Sequence, residues 1–190
     1  LIEDCRLALD TYRFDLCATA IYEFVWHEYC DWYLEMSKSI LWNDELSEQH
    51  KVATRRTLLA ILELLLRISH PIMPFITETL WLQVAPKLGI KGTSVMMQNY
   101  PEPSQWRTDD EAQQQIEWLK SVITALRNIR GEASIKPSTG IPVLLQDGAD
   151  QDRTQATNAA EMLRRLANVT PIDWLERGNE PPPNALALVG

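Results

Sequence analysis

The sequence predicts a mainly α protein: a helical bundle followed by a small C-terminal α/β appendage. Three observations lead there. Residues 1–70 contain neither glycine nor proline, and all seven glycines and eleven prolines lie beyond them; helix interiors disfavour both residue types. Apolar residues within that stretch recur every three or four positions, the spacing of one helical face. After Lys136-Pro137 the pattern turns to short apolar runs, Ile141–Leu145, Pro171–Leu175 and Ala185–Val189, around a helical segment at Asp152–Asn168. The expected division is a bundle over residues 1–135 and an appendage over 136–190, the latter small for an independent core.

In order along the chain, Phe14, Ala18, Ile21, Val25, Tyr29, Trp32 and Met36 form one stripe on a long first helix, with Phe14 and Trp32 expected to pack the bundle. Leu41–Glu48 reads as a turn, with Asn43, Asp44 and Ser47 as cap candidates. From Glu48 to Ser69 the leucine-rich run is apolar nearly all round, as expected of a central helix. His70-Pro71 ends it, because a residue before proline is pushed out of the α region. Pro74 suits the first turn of a helix over Phe75–Val84. Residues 87–107 read as a long loop with a short extended piece at Ser94–Gln98. Thr108-Asp109-Asp110-Glu111 forms a capping box. It opens a helix whose seam is Ala112, Ile116, Leu119, Ile123 and Leu126 and which ends near Arg130.

Composition narrows the function classes. With 45% apolar and 23% charged residues, the 190-residue chain is not globally disordered. No apolar run is long enough to span a bilayer, and no basic-then-apolar leader is present, so no membrane partner and a cytoplasmic location are expected. Cys5, Cys17 and Cys30 lack a framework spacing and read as free thiols. The net charge of −8 argues against indiscriminate nucleic-acid binding. The charge is uneven, however. Residues 1–70 carry −5 and residues 137–190 carry −3, whereas residues 118–136 carry +3, with Lys120, Arg127, Arg130 and Lys136 against Glu132.

Neither a glycine-rich phosphate loop nor an HExxH or CxxC pattern occurs, and His27, His50 and His70 are widely separated. No catalytic, metal or cofactor residue is therefore assigned. The chain also opens at Leu1 inside a helical pattern, so it is expected to be part of a longer protein.

Three blocks carry a family resemblance. Tyr12-Arg13-Phe14-Asp15, Tyr22-Glu23-Phe24-Val25-Trp26 and Cys30-Asp31-Trp32-Tyr33-Leu34-Glu35 together resemble the anticodon-binding region of valyl-tRNA synthetases. His70-Pro71-Ile72-Met73-Pro74-Phe75-Ile76-Thr77-Glu78 with Trp81 is similar to the HPxxPFITE segment of the Val/Ile/Leu synthetases. Arg127-Asn128-Ile129-Arg130-Gly131-Glu132 is similar to the RNIRAE segment of the valyl branch, with Gly131 in place of its alanine. The resemblance covers residues 10–145. It implies a domain that binds the anticodon stem-loop of valine tRNA and performs no chemistry itself. ATP and magnesium would serve a catalytic domain of the parent, which with an editing domain would precede Leu1, as would the helix best known for reading anticodon bases. A coiled-coil arm would follow Gly190. Glu35-Met36-Ser37-Lys38-Ser39 is similar to the KMSKS signature of the same enzyme class, but it closes a long helix and reads as structural. Asn168-Val169-Thr170 is a glycosylation sequon by form only.

Candidate RNA-contacting residues follow from chemistry and position. Trp26, His27 and Tyr33, with Tyr22 and Cys30, flank the first helix's apolar stripe, and single-stranded bases are read by stacking and edge hydrogen bonds. Arg55 and Arg56 begin the next helix, while Lys120, Arg127, Asn128 and Arg130 lie on the last one. The competing structural reading is that such cations serve the helix dipole or solvate a face; Arg67, four residues after Glu63, reads as structural. Two other functions fit the pattern: a helical protein-interaction module, and the equivalent domain of an isoleucine or leucine synthetase. The CDWYLE block favours valine.

Overall fold

The computed structural model describes residues 1–105, 107–176, 178–183 and 185–186. The chain packs as two units, Leu1–Thr108 and Asp109–Gly190. The second therefore begins with the last long helix, not at residue 136 where the pattern change in the sequence placed the boundary. Most of the expected Ala185–Val189 strand lies outside the described residues.

The first unit opens with a helical hairpin, α1 (Ile2–Asp10) and α2 (Phe14–Glu23), where one uninterrupted helix was expected. No glycine or proline marks the break. Tyr12 adopts a left-handed conformation, φ 58°, at a cost of about 1 kcal/mol. The reversal is closed by Thr11 N–H to the Leu7 carbonyl (3.0 Å) and Arg13 N–H to the Ala8 carbonyl (2.7 Å). Folding back buries Cys5 and Ala8 against Cys17, Ile21 and Ile68, with Leu64, Ile72 and Tyr100 packed around them. Phe14, expected in the core, instead starts α2 at 53% exposure and meets Tyr12 edge-on at 6.3 Å. Farther along the predicted stripe, Ile21 and Met36 are buried and Val25, Tyr29 and Trp32 half-buried.

From Glu23 the helix continues as a π-helical stretch, Phe24–Leu34, and then as α3 (Glu35–Leu41). After the expected turn, α4 (Glu48–Ser69) and α5 (Pro74–Val84) follow the predicted limits closely. Ser94–Gln98 holds a 3₁₀ turn rather than an extended piece, with the Ser94 hydroxyl accepting from Met96 N–H at 3.2 Å. Leu66, Trp81, Val84, Ala85 and Val95 form a second core. Among the described residues no helix is long and apolar enough to cross a membrane.

The second unit is built from α6 (Asp110–Glu132), β1 (Ile141–Gln146), α7 (Asp150–Asn158), α8 (Ala160–Ala167) and β2 (Val169–Leu175). The cap of α6 is Asp109, one residue beyond the expected Thr108; its Oδ1 accepts from Ala112 N–H at 3.0 Å. Leu119, Ile123 and Leu126 are buried as the seam predicts, whereas Ala112 and Ile116 are exposed. The two strands pair in parallel, Ile141 opposite Val169 and Leu145 opposite Trp174, and α7 and α8 form the crossover.

Cys5 and Cys17 are fully buried and Cys30 is half-buried. Burial, with the neighbouring Cys17 thiol, pushes the Cys5 thiol up to about 12. A thiol reagent at pH 8 is expected to modify Cys30 alone in the native protein and all three cysteines in urea; rapid native labelling of Cys5 would contradict this packing. A raised folded-state pKa also fixes the sign of the alkaline response. The stabilisation is complete below the ordinary thiol value and is lost as pH rises towards about 12.

Candidate nucleic-acid interface

The π-helical stretch sets the direction of the aromatic block. Its wider turn stacks side chains four and five positions apart, and such stretches are rare and often lie at functional sites. Tyr22 and Trp26 stand parallel at 6.3 Å between ring centroids and 4° between planes. His27 meets Tyr22 edge-on at 6.4 Å. All three rings are about half exposed or more: 59%, 54% and, for the His27 side chain, 51%. His27 is held between two carboxylates, its Nε2 3.5 Å from Glu23 and its Nδ1 3.5 Å from Asp31. An open depression of about 320 Å³ adjoins it, lined in part by Asp4, Glu23, Phe24 and Glu28.

Tyr33 is a correction. It is half-buried: burial raises its phenol against the lowering effect of the Thr57 hydroxyl of α4 and the Ser37 hydroxyl of α3, and Ser37 donates to its backbone carbonyl at 2.7 Å. Tyr29 is anchored likewise, donating to the Leu58 carbonyl at 3.0 Å. Tyr29 fastens the π-helical stretch to α4, while Tyr22 near the end of α2 and Trp26 and His27 on the stretch are the exposed aromatics.

Of the α4 arginines, Arg55 pairs with Glu48 at 2.6 Å and Arg56 is exposed, without a hydrogen bond or ion pair among the described residues. On α6, Lys120 lies low on the surface against Glu117 at 3.0 Å. Arg127 is exposed and reaches the Leu166 carbonyl at 3.5 Å, and Asn128 is exposed beside it.

Arg130 is the second correction. Only 6% exposed, it donates to four backbone carbonyls: Ala167 at 3.1 Å, Asn168 at 2.7 Å, Thr139 at 2.8 Å and Lys136 at 3.3 Å. Its planar fork satisfies the end of α8 and the turn before β1 together. The helical spacing placed it beside Arg127; only the fold shows that it is an internal staple.

The HPxxPFITE segment proves to be scaffold. His70 Nδ1 lies 2.7 Å from the Thr77 hydroxyl, Pro74 opens α5, and Glu78 accepts from the Ser94 hydroxyl (3.0 Å) and Val95 N–H (3.1 Å). Trp81 donates to buried Glu63 at 2.7 Å, and Arg67 closes the other Glu63 oxygen at 2.9 Å, the structural pairing its spacing predicts. The KMSKS-like segment is helical, with Met36, Ser37 and Ser39 buried and Lys38 paired with Glu35. No group of three or more potential metal ligands occurs among the described residues.

Residues 1–145 match the family model described as the anticodon-binding domain of tRNA ligase. The chain belongs to that family. Its anticodon-binding domain is also similar to part of the valine–tRNA ligase of Acinetobacter baylyi, 43% identical over 96% of this chain, and to that of Xylella fastidiosa strain M23, 48% identical over 94%. The chain spans only 19% and 18% of the lengths of those two relatives. The anticodon-binding domain match ends within β1, so it takes in all of the first unit and the α6 portion of the second.

Proposed function

We propose that this chain is the anticodon stem-loop-binding portion of a valine-specific tRNA ligase, holding the RNA so that its acceptor end reaches a catalytic site elsewhere in the longer protein. The similarity to valine–tRNA ligases along nearly the whole chain carries this reading. In the first unit the exposed Tyr22, Trp26 and His27 offer stacking planes and Arg55 and Arg56 offer cations, the chemistry RNA recognition needs; in the second unit exposed Arg127 and Asn128 are separate candidates. Arg130 and Tyr33 support the framework instead. ATP and magnesium act at the catalytic domain, with catalytic and editing domains as partners in the same cytoplasmic parent.

The test is aminoacylation by the parent enzyme with Arg55 and Arg56 both changed to alanine. The KM for valine tRNA should rise about tenfold while ATP–pyrophosphate exchange is unchanged, and the salt slope of tRNA binding should fall by about one per lost phosphate contact. An unchanged kcat/KM for tRNA would remove both arginines from the interface. A chain that binds a protein from the same cell but no tRNA would favour the protein-interaction reading.

A further inference from the structure

We infer that Tyr22 and Trp26 form a stacking platform for one splayed base, and that the carboxylates flanking His27 make the rim of this platform selective for bases carrying an exocyclic amine. The inference rests on the RNA-binding reading above and names the base chemistry it uses. Two parallel, exposed rings on consecutive turns offer a π-surface that a base covers without rearranging the protein. Trp26 is held in place, because Tyr29 on the same π-helical stretch donates to the Leu58 carbonyl of α4. Beside the platform, His27 stands edge-on to Tyr22, with Glu23 at one ring nitrogen and Asp31 at the other.

A carboxylate only accepts hydrogen bonds. Adenine, cytosine and guanine each present an exocyclic amino donor at the edge of the base, whereas the single edge donor of uracil, N3–H, is recessed between two carbonyl acceptors that such a rim repels. The same carboxylates, with nearby Asp4 and Glu28, repel phosphate, so the contact is with the base and the backbone runs elsewhere. Loss of the platform should accordingly weaken binding without changing its salt dependence, unlike loss of an arginine that meets phosphate.

The experiment uses the purified chain and RNA hairpins with anticodon-sized loops, either uridine-only or carrying adenosine, cytidine or guanosine. Binding is followed by anisotropy across a salt series. The expected result is that amine-bearing loops bind at least about fivefold more tightly than uridine-only loops, a preference that Glu23→Gln with Asp31→Asn abolishes. Trp26→Ala should weaken amine-bearing loops about tenfold at unchanged salt slope, and Trp26→Phe, which keeps a ring, should restore most of the loss. Equal affinity for all loops would overturn the amine rule, and an unaffected Trp26→Ala variant would overturn the platform; in both cases RNA binding itself survives. Failure of every hairpin to bind wild-type protein would instead overturn the RNA-binding reading, and this inference with it.

Discussion

Changing Arg130 to alanine is expected to destabilise the second unit by about 3 kcal/mol or more, a large share of the stability a small unit has. One guanidinium serves the Ala167, Asn168, Thr139 and Lys136 carbonyls, so its loss strands acceptors at the end of α8 and in the turn before β1 together. Each hydrogen bond from a charged donor contributes about 1.5–3 kcal/mol, though the four do not add. Arg130→Lys should recover only part of the loss, since a point-like ammonium cannot span the fork. Urea unfolding followed by circular dichroism and tryptophan fluorescence measures this directly. A shift below about 1 kcal/mol would mean that water replaces the guanidinium at little cost. For RNA binding, the variant should be harmful only through unfolding.

The second large effect is expected at Glu63. Changing it to alanine should cost the first unit about 3–5 kcal/mol, because Arg67 and the Trp81 indole N–H both lose their buried acceptor. Glu63 is 3% exposed and Trp81 1%, so water reaches neither easily. Glu63→Gln should cost less, since the amide oxygen still accepts from Trp81 while its nitrogen faces Arg67. Trp81→Phe should fall between the two, losing one hydrogen bond and some packing. Thermal unfolding of the three variants gives the order. An alanine variant as stable as wild type would show that the network is dispensable.

Much of the fold was legible because it is local. The absence of glycine and proline before residue 71, the leucine run of α4 and proline at the start of α5 each act within a helical turn or two. The α1–α2 break was not legible, because a tyrosine rather than a glycine takes the left-handed position. Its cost is met by Cys5 and Ala8 packing on Cys17, Ile21 and Ile68, contacts that helical periodicity cannot reveal. Trp26 and His27 do face outward as their flank position suggested, but Tyr33 turns inward because the π-helical stretch changes the angular step between residues. Arg130 misled for another reason. An arginine one turn from the end of a helix has the same sequence signature whether it meets solvent, phosphate or four carbonyls.

The staple made by Arg130 also governs where the polypeptide can be shortened. Family membership is defined over residues 1–145, yet a truncation there would leave β1 without β2, whose residues 169–175 lie beyond the cut. It would also delete Ala167 and Asn168, two of the Arg130 acceptors. The border of the family match and the border of the packed second unit are thus different lines on this molecule. Anyone trimming it for expression should cut at the short connection before Asp109, or keep everything through β2.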